Sequence, residues 1–298
     1  MGHKEVPVTQ LRQLVLEELE RRNYSQATAH AYVAAIRRFA QHFRRSPEQL
    51  DLTHIRQYQL ALAERKLSPR SVAAETSALR FLYNKVLRRR YPLEDIPMPR
   101  NHRRSIPLVL SPGEAARLID AAPNLRYRTI LMTLYSTGMR RAELCRLRPQ
   151  DVDKERMVIR IPHGKGDKSR EVPLSPKLLD QLRQYYASLK HRNGWMFPSR
   201  QRKRPQHAIT EKTVWNACRV SAGRAGITKP IHPHTLRHSY ATHLLDNGAE
   251  LPVVQRLLGH EDPRDTMIYI HLSNRTLRAA PNPLETICLS TDRAAAEL

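Results

Sequence analysis

The sequence predicts a mainly α-helical protein in two domains, with one small antiparallel β-sheet in the second. Apolar residues recur at three- and four-residue steps over most of the chain, the period of amphipathic helices. Residues 91–107 (YPLEDIPMPRNHRRSIP) hold four prolines and no apolar periodicity, which reads as a linker. One pair of short β-branched runs, Met157 to Ile161 and Arg170 to Leu174, flanks a Gly-rich turn and reads as a hairpin. A chain of 298 residues can bury two modest cores. The expected division is a helical domain over 1–90, the linker 91–107, a second domain over 108–275 and a tail over 276–298.

In the first domain a helix over 9–22 has Thr9 as its N-cap and Leu11, Leu14, Val15 and Leu19 on one face. Ser25 caps a second helix carrying Ala29, Tyr32, Ile36, Phe39 and Phe43, with Arg37, Arg38, Arg44 and Arg45 on its other side. A third helix runs from Thr53 to about Lys66. Ser68-Pro69 opens a fourth, with Val72, Thr76, Leu79, Tyr83 and Val86 as its buried stripe. In the second domain Ser111 and Glu114 form a capping box for a helix to Ala122. Arg126 to Ser136 is helical, breaks at Thr137-Gly138, and resumes from Met139 to Leu147. The hairpin follows, its turn Pro162 to Lys168 carrying Lys165 near the tip. Ser175-Pro176 and Thr210 open two more helices, and Thr235 to Asp246 is the next, closed by Asn247-Gly248. Pro252 to Leu258 is short and ends at Gly259.

The chain has 51 Lys+Arg against 28 Asp+Glu, a formal net charge of +23. So much positive charge is unfavourable for a compact chain alone and fits a polyanionic partner. The basic residues are dispersed, which favours an extended binding surface over a disordered arm. Arg88, Arg89 and Arg90, directly before the linker, and Arg103 and Arg104 within it are candidate phosphate contacts. Cys145, Cys218 and Cys288 are scattered, without disulfide or zinc spacing, so a reducing cytoplasmic setting is expected. No apolar stretch approaches the length of a membrane span, and no membrane partner is expected.

The densest signal is HPHTLRHSYATHLLDNGAELPVVQRLLGHEDPRDTMIYIH, from His232 to His271. His234 and Arg237 are three residues apart and leave one face of a helix at its first turn, where backbone N–H groups attract anions. His260 lies on the turn after Gly259, and Tyr269 follows nine residues later. Two donors, a second His and a Tyr would suit a phosphate attacked by a phenol. His234 and His238 also have the i, i+4 spacing of helical zinc ligands, but no third ligand or general-base Glu accompanies them, and no metal site is expected. His238 and His243 read as structural.

This run closely resembles the C-terminal signature of the tyrosine recombinases, the family of phage, Xer-type and integron integrases. The resemblance implies further residues upstream. Ser136-Thr-Gly-Met-Arg-Arg-Ala-Glu-Leu144 places Arg140 at the first catalytic arginine and Glu143 at the acidic residue that follows it. Gly164-Lys165-Gly166 falls where the family has a hairpin lysine; Lys168 is its neighbour and rival. The match spans roughly Ser111 to His271, and the first domain fits the family's SAM-like core-binding domain more loosely. The chain departs from the pattern at Pro263 and Arg264, before the tyrosine, and in its proline-broken tail. The 69-residue step from Lys165 to His234 is too short for the insert of integron-type members.

The resemblance implies a site-specific recombinase that clamps double-stranded DNA between its domains and cleaves it through a 3′-phosphotyrosyl intermediate. Tyr269 would be the nucleophile and Arg140 and Arg237 the forks on the non-bridging oxygens. Lys165 would protonate the leaving 5′-oxygen, with His234 and His260 on the phosphate and Glu143 orienting a neighbour. Covalent capture conserves the phosphodiester's energy, so neither nucleotide nor metal cofactor is implied. Pairwise exchange implies a homotetramer on two DNA sites, or one shared with a related recombinase. The apolar run Leu284 to Leu289 is expected to dock on a neighbouring subunit. Two other readings stay open: a type IB topoisomerase-like nicking and rejoining enzyme, and a non-enzymatic DNA-binding regulator.

Overall fold

The computed structural model describes residues 10–99, 107–162, 169–190, 194–199 and 207–272. The chain forms two compact units, Met1–Ser105 and Ile106–Leu298. Among the described residues no helix is long and apolar enough to cross a membrane.

The first unit is built from helices α1 (Gln10–Arg21), α2 (Gln26–Phe43), α3 (Leu52–Glu64) and α4 (Pro69–Phe81). Their starts are set by side chains that satisfy orphan backbone N–H groups: Ser25 accepts from Thr28, Asp51 from Thr53 and His54, and Ser68 from Ser71. Leu11, Val15 and Leu19 face the core, whereas Leu14, expected beside them, is 45% exposed because the helix turns it away from the buried stripe. The core centres on Phe39, packed edge-on against Tyr58 at 5.2 Å between ring centroids. α4 runs on through a π-helical turn, Leu82–Val86, where the Leu87 N–H donates to the Leu82 carbonyl five residues back at 2.8 Å.

Residues 91–97, at the start of the stretch read as linker, pack onto this unit. Ile96 is fully buried, the Arg80 Nε–H donates to its carbonyl at 2.8 Å, and Gln59 donates to the Pro97 carbonyl at 3.0 Å. Of the three arginines before this stretch, all exposed, Arg89 also folds back onto the unit. Its guanidinium donates to the carbonyls of Leu50 and Glu48 and lies over the Tyr83 ring at 5.4 Å. Arg88 and Arg90 are exposed beside it. On α2 and just after it, Arg37, Arg38, Arg44 and Arg45 are all exposed, and Arg38 donates through Nε to the buried Glu75 at 2.9 Å. Arg103 and Arg104 lie outside the described residues.

The second unit comprises α5 (Pro112–Asp120), α6 (Leu125–Thr137), α7 (Arg141–Arg146), a three-stranded sheet, α8 (Pro176–Ala187), α9 (Glu211–Arg224), α10 (Pro233–Asp246), α11 (Leu251–Leu258) and α12 (Arg264–Met267). The predicted capping box is present: Ser111 accepts from Glu114, whose carboxylate accepts from the Ser111 N–H. α6 is the axis of the unit, packed on α5, α8, α9 and α10. It is buried on most of its circumference because Thr129, Thr133 and Thr137 satisfy their hydroxyls on carbonyls one turn back, at 2.6–2.7 Å. The sheet is β1 (Val152–Asp153), β2 (Val158–Ile161) and β3 (Arg170–Pro173), antiparallel in the order β1-β2-β3. The hairpin is therefore joined by a third strand, too short to leave a periodic trace. α10 starts at Pro233, two residues before the expected Thr235, with His232 as N-cap accepting from the Thr235 N–H.

Candidate active site

The site is assembled at the C-terminal end of α11. A helix leaves its last carbonyls without intrahelical partners, and they carry the negative end of the helix dipole. Here Gly259, with φ +63°, turns the chain off the helix. Three arginines from three other elements then take three successive carbonyls. Arg170, on β3, donates through Nε to Leu257 at 2.8 Å. Arg237, on α10, donates through Nη2 to Leu258 at 2.6 Å. Arg140, at the N-cap of α7, donates through Nη2 to Gly259 at 3.2 Å.

Arg237 also donates to the Gly138 carbonyl at 2.7 Å and so joins the α6–α7 turn to α11. That turn lies flat on α10 because residue 138 has no side chain. Gly138 has φ +60°, and a Cβ there would stand 2.3 Å from Cδ1 of Tyr240. Gly138→Ala is expected to lose about 2–5 kcal/mol of stability from left-handed strain and overpacking. A urea titration of the two proteins measures this, and a midpoint unchanged from native contradicts it.

Glu143 is the anion at the centre of this arrangement. Its carboxylate accepts from the Arg140 backbone N–H at 2.6 Å, from Arg140 Nη1 at 3.0 Å, and from both Arg170 Nη atoms at 2.9 and 2.8 Å. Burial by itself would raise the Glu143 carboxyl. The hydrogen bonds and charge of Arg170, with the contacts from Arg140, outweigh burial and hold it at about 2. Arg170 had no signal of its own in the motif. It does share strand parity with the buried Val172 and Leu174, and that inward alternation could have marked it.

Glu143→Gln leaves two guanidiniums beside a neutral amide and is expected to cost about 3–5 kcal/mol in urea unfolding at pH 7. Glu143 is ionised in the fold down to about 2 and protonates in the unfolded chain near 4.5. Its stabilising contribution is thus complete above 4.5 and disappears as pH falls toward 2. The gap between variant and native should narrow over that window. An equal gap at pH 7 and pH 3 would refute the assignment.

Arg237 is buried, with 3% of its surface exposed. Burial, then the charges of Arg140 and Arg170, lower it to about 10, so it stays protonated at neutral pH. His260 follows Gly259 directly. Its Nδ1 is 2.8 Å from the Thr266 hydroxyl, and its ring lies nearly parallel to that of Tyr269 at 6.3 Å. Burial, then Arg237 and Arg140, push its pKa down to about 4. His234 occupies the first turn of α10, exposed, its ring 6.4 Å from that of His238. Partial desolvation of the ring by its neighbours, then the charge of Arg237, lowers its pKa. His243, further along α10, is bound to the Tyr135 hydroxyl at 2.8 Å.

Tyr269 follows α12, which begins directly after Pro263; proline's fixed φ suits that position. The ring is 2% exposed, and the hydroxyl lies 3.0 Å from Nδ1 of His238. Burial raises the Tyr269 pKa, while the charges of Arg237 and Arg140 oppose the rise. The structure thus gathers Arg140, Glu143, Arg237, His260 and Tyr269, with His234 at the margin. It adds Arg170 and His238, the latter read from sequence as structural. Its i, i+4 relation to His234 had placed it on this face of α10. Lys165 and Lys168 lie outside the described residues. Among those residues no group of three His, Cys, Asp or Glu side chains could hold a metal ion.

Two arginine forks beside a histidine and a buried phenol can bind a phosphodiester and attack it. The comparisons define the class. Residues 109–275 match the phage integrase family and residues 11–93 its N-terminal SAM-like domain. The chain belongs to the phage integrase family, the tyrosine recombinases. Within it, the protein is a tyrosine-type site-specific recombinase acting on DNA. It is 37% identical over 286 residues to protein y4qK of Sinorhizobium fredii, covering 95% of this chain and 91% of the other. It is 36% identical over 274 residues to a tyrosine recombinase of Pseudothermotoga lettingae, covering 88% and 93%. The crystal structure of XerA recombinase aligns over 92% of this chain and 99% of that one, at 29% identity and TM-score 0.53. A lambda integrase dimer bound to a COC′ core site shares the fold at TM-score 0.70 and 16% identity, over 87% and 93% of the two chains.

Proposed function

We propose that Tyr269 attacks a phosphodiester held by Arg140 and Arg237, giving a 3′-phosphotyrosyl link and a free 5′-hydroxyl. The observation that carries this is the convergence of both guanidiniums, His260 and Tyr269 on the end of α11. The forks would bind the non-bridging oxygens and stabilise the charge that builds on phosphorus. Glu143 and Arg170 hold Arg140 in place. His234 and His260 would hydrogen-bond the phosphate, and Lys165 would protonate the leaving 5′-oxygen. The 5′-hydroxyl of one strand then attacks the phosphotyrosyl link of its partner.

Exchange between two duplexes calls for four protomers, so the working assembly is a homotetramer on two DNA sites, or one mixed with a related recombinase. The dimeric lambda integrase complex supports DNA-bound association of this fold. Arg88, Arg89, Arg90, Arg103 and Arg104 would add sequence-independent phosphate contacts. Leu284 to Leu289 would dock on a neighbouring subunit. Deletion of residues 280–298 without loss of tetramers on DNA would refute that docking.

The test is an adduct assay on nicked duplexes carrying DNA that flanks the protein's own gene. A protease-sensitive, slowly migrating species should form, and peptide mapping should place the nucleotide on Tyr269. Relaxed plasmid without recombinant products would indicate nicking and rejoining without exchange.

A further inference from the structure

Attack by Tyr269 releases a phenolic proton, and Arg140 and Arg237 hold no acceptor for it. We propose that His238 is the catalytic base of this site, taking that proton at Nδ1 as the tyrosine oxygen bonds to phosphorus; the inference rests on Tyr269 being the nucleophile. The geometry is direct. His238 Nδ1 stands 3.0 Å from the Tyr269 hydroxyl, and the rings are 5.7 Å apart at 45°. Among the described residues it is the hydroxyl's one side-chain hydrogen-bond partner. The other histidines are placed for other contacts: Nδ1 of His260 is on Thr266, and the His234 ring lies against the rings of His232 and His238 at 6.2 and 6.4 Å.

Protonation state agrees with this role. Burial, then the charges of His234, Arg237, His232 and His260, bring His238 down to about 4. It is neutral in the resting protein, and Nδ1 can accept. A ring held so low is a poor base, but only while the site is empty of DNA. A phosphodiester on Arg140 and Arg237 brings a negative charge among these cations, offsets their repulsion, and raises the proton affinity of His238. Substrate binding thereby switches the base on where it is needed.

The step balances. The Tyr269 O–H bond breaks, its electron pair stays on oxygen and becomes the new O–P bond, and the proton passes to His238 Nδ1, giving the imidazolium. The P–O5′ bond breaks with its pair on the 5′-oxygen, which takes a proton from the general acid. On rejoining, the imidazolium returns its proton to the departing phenolate, as microscopic reversibility requires.

The experiment measures single-turnover adduct formation on nicked duplex for native protein, His238→Ala and His238→Asn. Substrates carry either an ordinary phosphate or a 5′-bridging phosphorothiolate, whose leaving group needs no acid. His238→Ala and His238→Asn should both slow adduct formation by about 10²–10⁴-fold while DNA binding is retained. The deficit should persist on the phosphorothiolate and shrink as pH rises toward the phenol's own ionisation. Asn keeps a hydrogen-bonding group but cannot take the proton, so native speed in His238→Asn overturns the proposal. A His238→Ala rate within threefold of native overturns it too, as does a deficit with the native pH profile. Native protein without a Tyr269 adduct would remove the nucleophile assignment itself, a result distinct from each of these.

Discussion

Tyr269→Phe is expected to abolish covalent capture of DNA while leaving DNA binding and folding nearly intact. The ring is 2% exposed and packs with Tyr240, Val254 and Leu258, contacts that phenylalanine preserves. The loss is one hydroxyl, whose partner in the resting protein is His238. Leaving that imidazole nitrogen unpaired costs about 1–3 kcal/mol, too little to unfold a domain of this size. Chemistry, by contrast, would lose its proposed nucleophile outright, and no second tyrosine hydroxyl bonds to His238 among the described residues. Gel mobility on a nicked duplex reads both effects at once: a bound complex should remain and the protease-sensitive adduct should vanish. An adduct that survives would mean that another side chain attacks.

Arg237→Ala should be nearly as damaging to rate and far more damaging to structure. Its guanidinium would bind a non-bridging oxygen, and removing one such preorganised donor typically slows a reaction by about 10²–10³-fold. The same side chain holds the Gly138 and Leu258 carbonyls at 2.7 and 2.6 Å. Truncation leaves both buried acceptors unpaired, at about 1–3 kcal/mol each. Arg237→Lys keeps the charge but cannot span two carbonyls and a phosphate with one ammonium, so it should recover little of the rate. Single-turnover cleavage and urea unfolding of both variants separate the two contributions. Near-native cleavage by Arg237→Lys would show that charge alone suffices and that the fork is unnecessary.

The acid side of the stability profile follows from the same cluster. His238 and His260 are neutral in the fold down to about 4, against 6.5 in the unfolded chain. The unfolded state binds more protons between those values, so stability should begin to fall below 6.5, before Glu143 adds its own loss below 4.5.

Much of this was legible from residue order because the signals are local. Ser25, Ser68, Ser111, Ser175 and Thr210 stand where a helix needs an acceptor for its first N–H groups, and each caps the helix that follows. Gly138 and Gly259 mark backbone that turns left-handed, and Arg140 and His260 stand beside them. Other features left no local trace. β1 is two residues long and has no period to detect. Leu14 fits an apolar stripe by spacing and still faces solvent. Arg89 reads as one of three equivalent arginines, yet tertiary contacts with Leu50 and Glu48 single it out.

By itself the sequence determined the helical segments, their caps, and a family signature with Arg140, His234, Arg237, His260 and Tyr269 in order. Local hydrogen bonding and motif spacing are written into neighbouring residues. Only the tertiary structure decided which of many chemically identical arginines and histidines meet. Arg140 reaches a carbonyl 119 residues away, Arg170 one 87 away, and His238 a hydroxyl 31 away. Those pairings depend on how α7, β3 and α10 pack around the end of α11, because a guanidinium or imidazole acquires its role from the carbonyls, charges and burial around it.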